Sequence, residues 1–258
     1  RQLVETPLVW QDGRYTFNYE DLEAKAASGV KVLIFSSPHN PTGRVWTREE
    51  LDRLAQICLK HGVFMLVDEI HCDFVPRSHP HTTFGLLGEK VLQHSMICYS
   101  ANKGFNLGGL GMATVVLADD DLRFRFNEEM SIAQTRLDNI FGAAALMAAY
   151  TQGEEWLDQA IEYVEKNKEY LAQFLQTRIP RIKMIPSEGT YLVWLDCSLL
   201  PFRGLALEHF MLNESRVAFC AGYEFGEQGE AFLRMNVACP RSILKQALEQ
   251  METAVNKL

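Results

Sequence analysis

The sequence predicts an α/β fold, and three observations predict it. Apolar runs of strand length alternate with segments of helical periodicity over the first part of the chain. The runs Lys31–Ser37 and Val63–Glu69 flank a capped helical segment, which is the pattern of a βαβ unit with parallel strands and a right-handed crossover. Polar residues follow several of these strands, at the edge of an α/β sheet where ligands bind.

Composition and charge exclude several classes of protein. The chain has 258 residues and a formal net charge of −8, which is unfavourable for binding nucleic acid or an anionic membrane. We find no apolar stretch of membrane-spanning length and no secretory signal. The six cysteines are scattered without a CxxC pair, which is typical of buried thiols in a reducing cytoplasm. We therefore expect a cytoplasmic protein that acts on small molecules, without a metal site.

Individual residues predict each element of the βαβ unit. Lys31–Ser37 is an almost unbroken apolar run, which predicts a buried strand, and the turn sequence PHNPTG follows it. Thr47 and Glu50 form a capping box, and apolar residues repeat at helical spacing until His61 and Gly62 end the helix. Val63–Glu69 is the second buried strand.

Two further strands and three helices follow. Ser95–Ser100 and Met112–Ala118 fit buried strands, and they flank the glycine-rich loop ANKGFNLGGLG. Beyond Asp119 the pattern is helical in three segments, DDDLRFRFNEEM, DNIFGAAALMAAYTQ and a long amphipathic stretch from Glu154 to about Arg178. The last of these is long enough to link two domains.

After Pro180 the pattern changes to short strands mixed with helices. The apolar segments IKMIP, TYLVWLD, RVAFC and AFLRMNVAC alternate with a short helix near Ala206–Leu212 and a closing helix from Pro240 to about Asn256. This mixture predicts a smaller α+β domain. We expect residues 1–153 to form part of a large domain and residues 154–258 to form the linking helix and the small domain.

Four polar residues stand at the ends of three successive predicted strands. Asn40 follows the first strand, Asp68 ends the second, and Ser100 and Lys103 follow the third. Singly, each is an ordinary turn, strand-end or surface residue. Together they fit pyridoxal phosphate, which needs a lysine for a Schiff base and a carboxylate on its pyridinium nitrogen. An amide can donate to the ring oxygen, and a hydroxyl can bind the phosphate.

The motifs SSPHNPTGRVW, VDEIHCDF, YSANKGFNLGGLG and AFLRMNVACPR, in this order, resemble fold-type I pyridoxal-phosphate enzymes of the class I/II aminotransferase group. Within that group, PHNPTGRVW and DEIHxD are most similar to bacterial cystathionine beta-lyases, or C-S lyases, of the maltose-regulon modulator type. The resemblance extends from about Gly13 to the C-terminus. It implies a mostly parallel seven-stranded large domain, incomplete here, a smaller C-terminal domain, and a homodimer.

The resemblance also implies a role for each residue. Lys103 is the Schiff-base lysine and the base for the α proton, Asp68 is the pyridinium partner, and Asn40 contacts the ring oxygen. Ser100 binds the phosphate. Arg234 binds the substrate α-carboxylate, to which an arginine can donate two parallel hydrogen bonds. The alternative for Arg234 is a strand residue paired with a surface acid.

His71 distinguishes this chain from ordinary aminotransferases, which usually have a tyrosine three residues after the aspartate. A histidine there is typical of the lyases, although it could simply pack under the cofactor. A second departure lies at the lysine, where C-S lyases usually read Ser-Lys-Thr and this chain has Asn102 and Gly104 beside Lys103. We expect a weaker hold on the phosphate, with the lysine retained.

Other polar and aromatic residues are bystanders in this interpretation. Tyr191 and Trp194 lie in an apolar strand and are expected to form core or wall. His79 and His81 lie in a polar loop, where a metal site would require further ligands that we do not identify.

The leading hypothesis is a C-S beta-lyase that uses pyridoxal 5'-phosphate and releases a thiol, pyruvate and ammonia from cystathionine, cysteine or a cysteine conjugate. One alternative is a class I/II aminotransferase with the same residues, and another is a non-catalytic aminotransferase-like regulatory domain. The resemblance implies that these residues are the C-terminal two-thirds of such an enzyme. We expect the segment alone to bind the cofactor weakly, to lack turnover and to be poorly soluble or associated.

Overall fold

The computed structural model describes residues 1–135 and 139–258, and the chain divides into two compact units. The first unit comprises residues 1–39 and 44–157, and the second comprises residues 40–43 and 158–258. The assignment of residues 40–43 to the second unit is not suggested by the sequence. The proposed domain division between residues 153 and 154 stays a prediction.

The first unit is built on a mixed four-stranded sheet. Its strands, in spatial order, are β3 (Val32–Ser36), β4 (Phe64–Asp68), β5 (Ser95–Tyr99) and β6 (Thr114–Val116). The first three are parallel and β6 is antiparallel to β5. The chain enters through a two-stranded hairpin, β1 (Val9–Gln11) and β2 (Arg14–Thr16).

The crossover helix α2 (Arg48–His61) forms as its sequence predicts. Thr47 accepts the Glu50 amide while the Glu50 carboxylate accepts the Thr47 amide, so the capping box is complete. Gly62 ends the helix with a φ of 66°, which is a left-handed conformation that glycine adopts easily. One face of α2 is buried in the core cluster of the first unit, which also contains Trp46, Met65, Val67, Phe84 and Ile97.

Among the described residues, five more α-helices belong wholly to this unit and a sixth begins in it. They are α1 (Tyr19–Ala27), α3 (Glu89–Gln93), α4 (Ala101–Gly104), α5 (Asp120–Ile132), α6 (Ile140–Gln152) and α7 (Glu154–Arg178). The predicted helical segment DNIFGAAALMAAYTQ begins at Asp138, which lies outside the described residues. Helix α6 is apolar almost all round, yet only Gly142 and Ala149 of it are buried.

One expectation about the sheet is wrong. The run Lys31–Ser37 predicts a strand buried on both faces, but in β3 Val32 and Ile34 are 45% and 68% exposed. Their neighbours Leu33 and Phe35 pack against the core cluster. The reason is that β3 is an edge strand of the sheet and, among residues 1–135 and 139–258, only one of its faces is covered.

The second unit contains an antiparallel four-stranded sheet. Its spatial order is β7 (Lys183–Met184), β8 (Leu192–Asp196), β10 (Phe232–Asn236) and β9 (Cys220–Ala221). Helices α8 (Gly204–Asn213) and α9 (Arg241–Val255) complete it. Asn167 of α7 is buried and ties three parts of the unit together, because its amide donates to the Val237 and Cys239 carbonyls and accepts from Arg241 Nε.

Within the described part of the chain, none of the helices has the length and apolar character needed to cross a bilayer.

The turn after β3 contains a titratable group whose pKa depends on folding. Burial, with a smaller contribution from the Arg44 charge, lowers the pKa of His39 to about 4. An unfolded histidine has a pKa of about 6.5, so the unfolded chain binds this proton more readily than the folded one. We therefore expect the free energy of unfolding to fall as the pH falls from about 6.5 to about 4.

Urea unfolding across this pH range checks the expectation. In His39→Gln the fall should be smaller than in the parent protein, whereas His209→Gln, at an exposed position of α8, should leave it unchanged. Equal pH dependence in all three proteins would contradict the assignment to His39.

Candidate active site

Asp68 ends the second parallel strand. In the sheet register it is paired with Ser36 of β3 and with Cys98 of β5. Its Oδ1 accepts the Ile70 amide at 3.0 Å, and Oδ2 accepts no hydrogen bond from the residues that the structure describes. Burial and the Asp68 charge both raise the pKa of the Cys98 thiol. The carboxylate therefore lies at the carboxyl edge of the sheet, and its charge affects the Cys98 thiol near the end of β5.

Lys103 follows β5 at this same edge. It lies in the short helix α4, and its side chain is exposed. Within residues 1–135 and 139–258, Nζ forms neither a hydrogen bond nor an ion pair. An ammonium group at the end of a parallel strand that is not engaged by the fold is available to a ligand.

Ser100 is the N-cap of α4. Its Oγ accepts the Asn102 amide at 3.1 Å and donates to the Met112 carbonyl at 2.5 Å. Asn102 Nδ2 donates to the same carbonyl at 2.7 Å. The one hydroxyl proton of Ser100 therefore points to backbone, and binding a phosphate would require that hydroxyl to turn.

Gly104 explains one departure from the lyase motif. A Cβ at this position would lie 2.8 Å from Asp73 Cβ, closer than real Cβ contacts come. Asp73 is held there by the Tyr150 hydroxyl, which donates to its Oδ2 at 2.9 Å. The space that a threonine side chain would need is therefore filled by Asp73.

We expect Gly104→Thr to lower the free energy of unfolding by roughly 1–3 kcal/mol, because overpacking displaces Asp73 or the lysine loop. Thermal unfolding with added cofactor measures the loss. Gly108→Ala is the matched control in the same loop, since its added Cβ would meet no atom within 4 Å. If the Gly104→Thr protein were as stable as the parent protein, contact with Asp73 would not be the reason for glycine at this position.

His71 lies in the turn after β4, three residues beyond Asp68, and is only 4% exposed. The side chains of Glu69 and His81 also have little exposure to solvent. Glu69 accepts the Phe84 amide through Oε1 at 2.7 Å, and its Oε2 lies 3.4 Å from His81 Nε2. The His81 side chain is only 9% exposed although its sequence neighbours are polar. The apolar residues around the DEIH motif indicate that Glu69 is buried, whereas no sequence feature indicates burial of the His81 side chain.

Asn40 and Arg234 lie together in the second unit. Arg234 Nη1 donates to Asn40 Oδ1 at 2.9 Å. The turn that carries Asn40 is anchored through Gly43, whose carbonyl accepts the Glu188 and Gly189 amides at 2.9 Å each. Gly43 has a φ of 73°, and a Cβ there would lie 2.9 Å from Ser187 Cβ. The motif NPTG is therefore not an ordinary surface turn.

Arg234 has neutral neighbours. Nη2 donates to Cys220 Sγ at 2.8 Å, and Cζ lies 4.9 Å from the centroid of the Phe225 ring. No carboxylate pairs with it among the described residues, so the alternative of a surface ion pair is not observed. A partly buried guanidinium without a counter-charge favours binding of an anion.

The two aromatic bystanders are found in this unit as well. Trp194 is buried and stacks on Phe232 with ring centroids 5.2 Å apart. Burial raises the pKa of Tyr191, and the Arg234 charge lowers it by a smaller amount. Trp194 is therefore a core residue, and Tyr191 lies within electrostatic range of Arg234.

The predicted site residues thus fall into two groups. Asp68, His71, Ser100 and Lys103 lie at or just beyond the carboxyl ends of β4 and β5 in the first unit. Asn40 and Arg234 are hydrogen-bonded to each other in the second. The role of each residue stays a prediction.

Comparison with known proteins identifies bacterial relatives, one of which is named as a lyase. Cystathionine beta-lyase PatB of Bacillus subtilis strain 168 is 35% identical over 257 residues, which are 99% of this chain and 66% of that protein. Protein MalY of Escherichia coli K12 is 32% identical over 231 residues, covering 87% of this chain and 57% of that protein. The chain therefore spans 57–66% of the length of these relatives.

Comparison with solved structures confirms the fold. The crystal structure of cystalysin from Treponema denticola, which contains a pyridoxal 5'-phosphate cofactor, matches with a TM-score of 0.97 and 33% identity and covers 100% of this chain and 66% of that chain. The predicted α/β fold of the fold-type I class is confirmed. A family model described as aminotransferase class I and II matches residues 2–251. Because that match extends over almost all of its length, the chain belongs to the aminotransferase class I and II family.

Proposed function

We propose that the protein is a pyridoxal-phosphate-dependent C-S beta-lyase, which releases a thiol, pyruvate and ammonia from cystathionine, cysteine or a cysteine conjugate. One observation carries this proposal. The unengaged amine of Lys103 and the carboxylate of Asp68 follow adjacent parallel strands, in a chain 35% identical to a cystathionine beta-lyase. The match covers 66% of the length of that relative, and the proposal concerns the activity of the whole protein.

The residues present fit the cofactor. An amine for its aldehyde and a carboxylate for its ring nitrogen are the two groups that this chemistry requires, and Lys103 and Asp68 supply them at one edge of the sheet. When bound, pyridoxal phosphate withdraws electrons from the α carbon of an amino acid. Asp68 supports this by keeping a proton on the ring nitrogen.

Lys103 has two tasks in the proposal. Its Nζ binds the cofactor aldehyde and, once released by the amino group of the substrate, takes the α proton. The absence of an ion pair on Nζ within the described residues supports the second task, since a carboxylate partner favours the protonated form of a lysine, which cannot take a proton. Loss of the α proton lets a sulfur leaving group depart from the β carbon.

Arg234 binds the substrate α-carboxylate in this proposal. The guanidinium has five N–H donors in a planar fork that matches a carboxylate. The Asn40 amide oxygen accepts a hydrogen bond from one of these donors, and its amide nitrogen contacts the cofactor ring oxygen. Ser100 binds the phosphate after its hydroxyl turns from the Met112 carbonyl, and His71 packs at the cofactor.

A class I/II aminotransferase is the second candidate, and it is consistent with the family model described as aminotransferase class I and II, which matches residues 2–251. The same residues would serve it, and Lys103 would move the α proton in both reactions. Only in the lyase would a sulfur leaving group then depart from the β carbon. The two reactions give different products from one substrate.

One assay distinguishes the candidates. The full-length protein is incubated with an S-substituted L-cysteine, with and without a 2-oxo acid, and thiol, pyruvate and new amino acid are measured. Thiol and pyruvate in equal amounts without the 2-oxo acid support the lyase. Amino-group exchange without thiol supports the aminotransferase. Tight cofactor binding without either product would support a regulatory domain.

We also propose that the protein is a cytoplasmic homodimer. All six cysteines are free, which suits a reducing compartment. Helix α6 exposes Ile140, Phe141 and Met147, which are 81%, 78% and 69% exposed, and an apolar helix surface of this kind favours a protein partner. Sedimentation of the full-length protein should give twice the monomer mass. Phe141→Glu should lower the measured mass to that of the monomer.

A further inference from the structure

Strand register brings a cysteine against Arg234. In the antiparallel pair of β9 and β10, Cys220 lies directly opposite Arg234. In the pair of β8 and β10, Trp194 lies opposite Arg234 on the other side. Directly opposed residues of antiparallel strands project to the same face of a sheet, with Cβ atoms about 4.5–5.5 Å apart. The backbone pairing therefore places Cys220 beside the Arg234 side chain.

The contacts of Arg234 come from three chemically different groups. Nη2 donates to Cys220 Sγ at 2.8 Å, Nη1 donates to Asn40 Oδ1 at 2.9 Å, and the plane is supported by the Phe225 ring. These two hydrogen bonds use two of the five donors of an arginine. The remaining donors form no hydrogen bond with the part of the chain that the structure describes.

Every one of these neighbours is uncharged. An aspartate or glutamate at position 220 would orient Arg234 equally well but would neutralise it and compete with an incoming carboxylate. A thiol accepts a hydrogen bond weakly and leaves the positive charge in place. Cys220 therefore fits a site in which the arginine keeps one orientation and its positive charge remains available to an anion.

We propose that Cys220 is a positioning residue for Arg234 and that it contributes to the selection of substrates that carry an α-carboxylate. This inference rests on the proposed function, because it requires Arg234 to bind that carboxylate. Cys220 acts through Nη2: its sulfur fixes one arm of the fork, Asn40 fixes the other, and the three remaining N–H donors are available to the ligand in a fixed orientation.

The test compares cysteine variants of the full-length holoenzyme. Cys220→Ala should raise KM for an S-substituted L-cysteine by on the order of tenfold, as expected for losing a hydrogen bond to a charged group, with kcat nearly unchanged. The inhibition constant of the matching S-substituted cysteamine, which lacks the carboxylate, should not change. Cys220→Ser keeps an acceptor for Nη2 and should restore most of the affinity. Cys239→Ala, which removes another thiol of the same unit, is the control.

The outcomes separate this inference from the proposed function. If Arg234→Ala raises KM while Cys220→Ala leaves it unchanged, the role of Cys220 is overturned and the role of Arg234 stands. If Arg234→Ala leaves KM unchanged, the carboxylate site itself is wrong. If Cys220→Ala weakens the cysteamine analogue as much as the amino acid, Cys220 has only a structural role.

A chemical modification covers the case in which Cys220→Ala does not fold. Methyl methanethiosulfonate converts a thiol into a methyl disulfide and releases methanesulfinate. Treating the folded holoenzyme should raise KM in the parent protein but not in Cys220→Ser, and dithiothreitol should reverse the change. An equal rise in both proteins would overturn the proposal.

Discussion

Replacing Lys103 by alanine should abolish the covalent adduct that borohydride reduction fixes between the full-length protein and pyridoxal phosphate. Thiol release should fall by at least about 10²–10⁴-fold, the usual contribution of a positioned acid–base group. The reason is that, in the proposed function, Lys103 provides both the amine for the aldehyde and the base for the α proton. Intact mass after reduction, followed by peptide mapping, measures the first effect, and a thiol assay measures the second.

Lys90→Ala is the matched control, since this exposed lysine of α3 belongs to the same unit. It should keep the adduct and the activity of the parent protein. A reducible adduct that persists on another lysine in Lys103→Ala would show that the assignment of the cofactor lysine is wrong.

Arg234→Ala should have the second largest effect. A hydrogen-bonded contact between charged groups contributes about 1.5–3 kcal/mol, so kcat/KM for an amino acid should fall by roughly 10–150-fold. Most of the change should be in KM, because the carboxylate is bound in the ground state as well as in the transition state. Cofactor affinity, measured by titration, should change much less.

Arg178→Ala supplies the control for Arg234. Arg178 pairs with Glu252 at the surface of the same unit, and its removal should leave KM unchanged. An Arg234→Ala protein with normal KM but a lower unfolding midpoint would support a purely structural role for that arginine.

The secondary structure was most predictable where local chemistry decides it. Thr47 with Glu50 at one end and Gly62 at the other specify α2, because the capping groups satisfy backbone atoms within a few residues. The strand around Cys220 was harder to predict. The run RVAFC indicates a strand from Arg216, but Arg216 has a φ of 56° and only Cys220 and Ala221 pair in the sheet.

Burial was less predictable than the elements themselves. An apolar run such as Lys31–Ser37 indicates that a strand can be buried, but it does not indicate whether other elements cover both of its faces. Ile34 is apolar and exposed because the described residues cover only the opposite face of β3, which is a property of the tertiary structure.

The candidate site shows the same division between local and tertiary information. Asp68 and Lys103 were identifiable because they follow strands whose ends a parallel sheet brings together. The contacts of Gly104 with Asp73 and of Arg234 with Cys220 were not, because each joins residues far apart in the chain. Motif comparison could note the glycine at position 104 as a departure, but only the packing gives its reason.

The bond between Asn40 and Arg234 has a consequence for synthesis on the ribosome. The two residues are 194 positions apart, which corresponds to roughly 10–40 s of translation at 5–20 residues per second. Throughout that interval the turn from Asn40 to Gly43 has emerged while its partners in the second unit do not yet exist. The first unit can close its core around α2 during this time, but the NPTG turn must wait, with its backbone accessible to chaperones and proteases, until the last strand has left the exit tunnel.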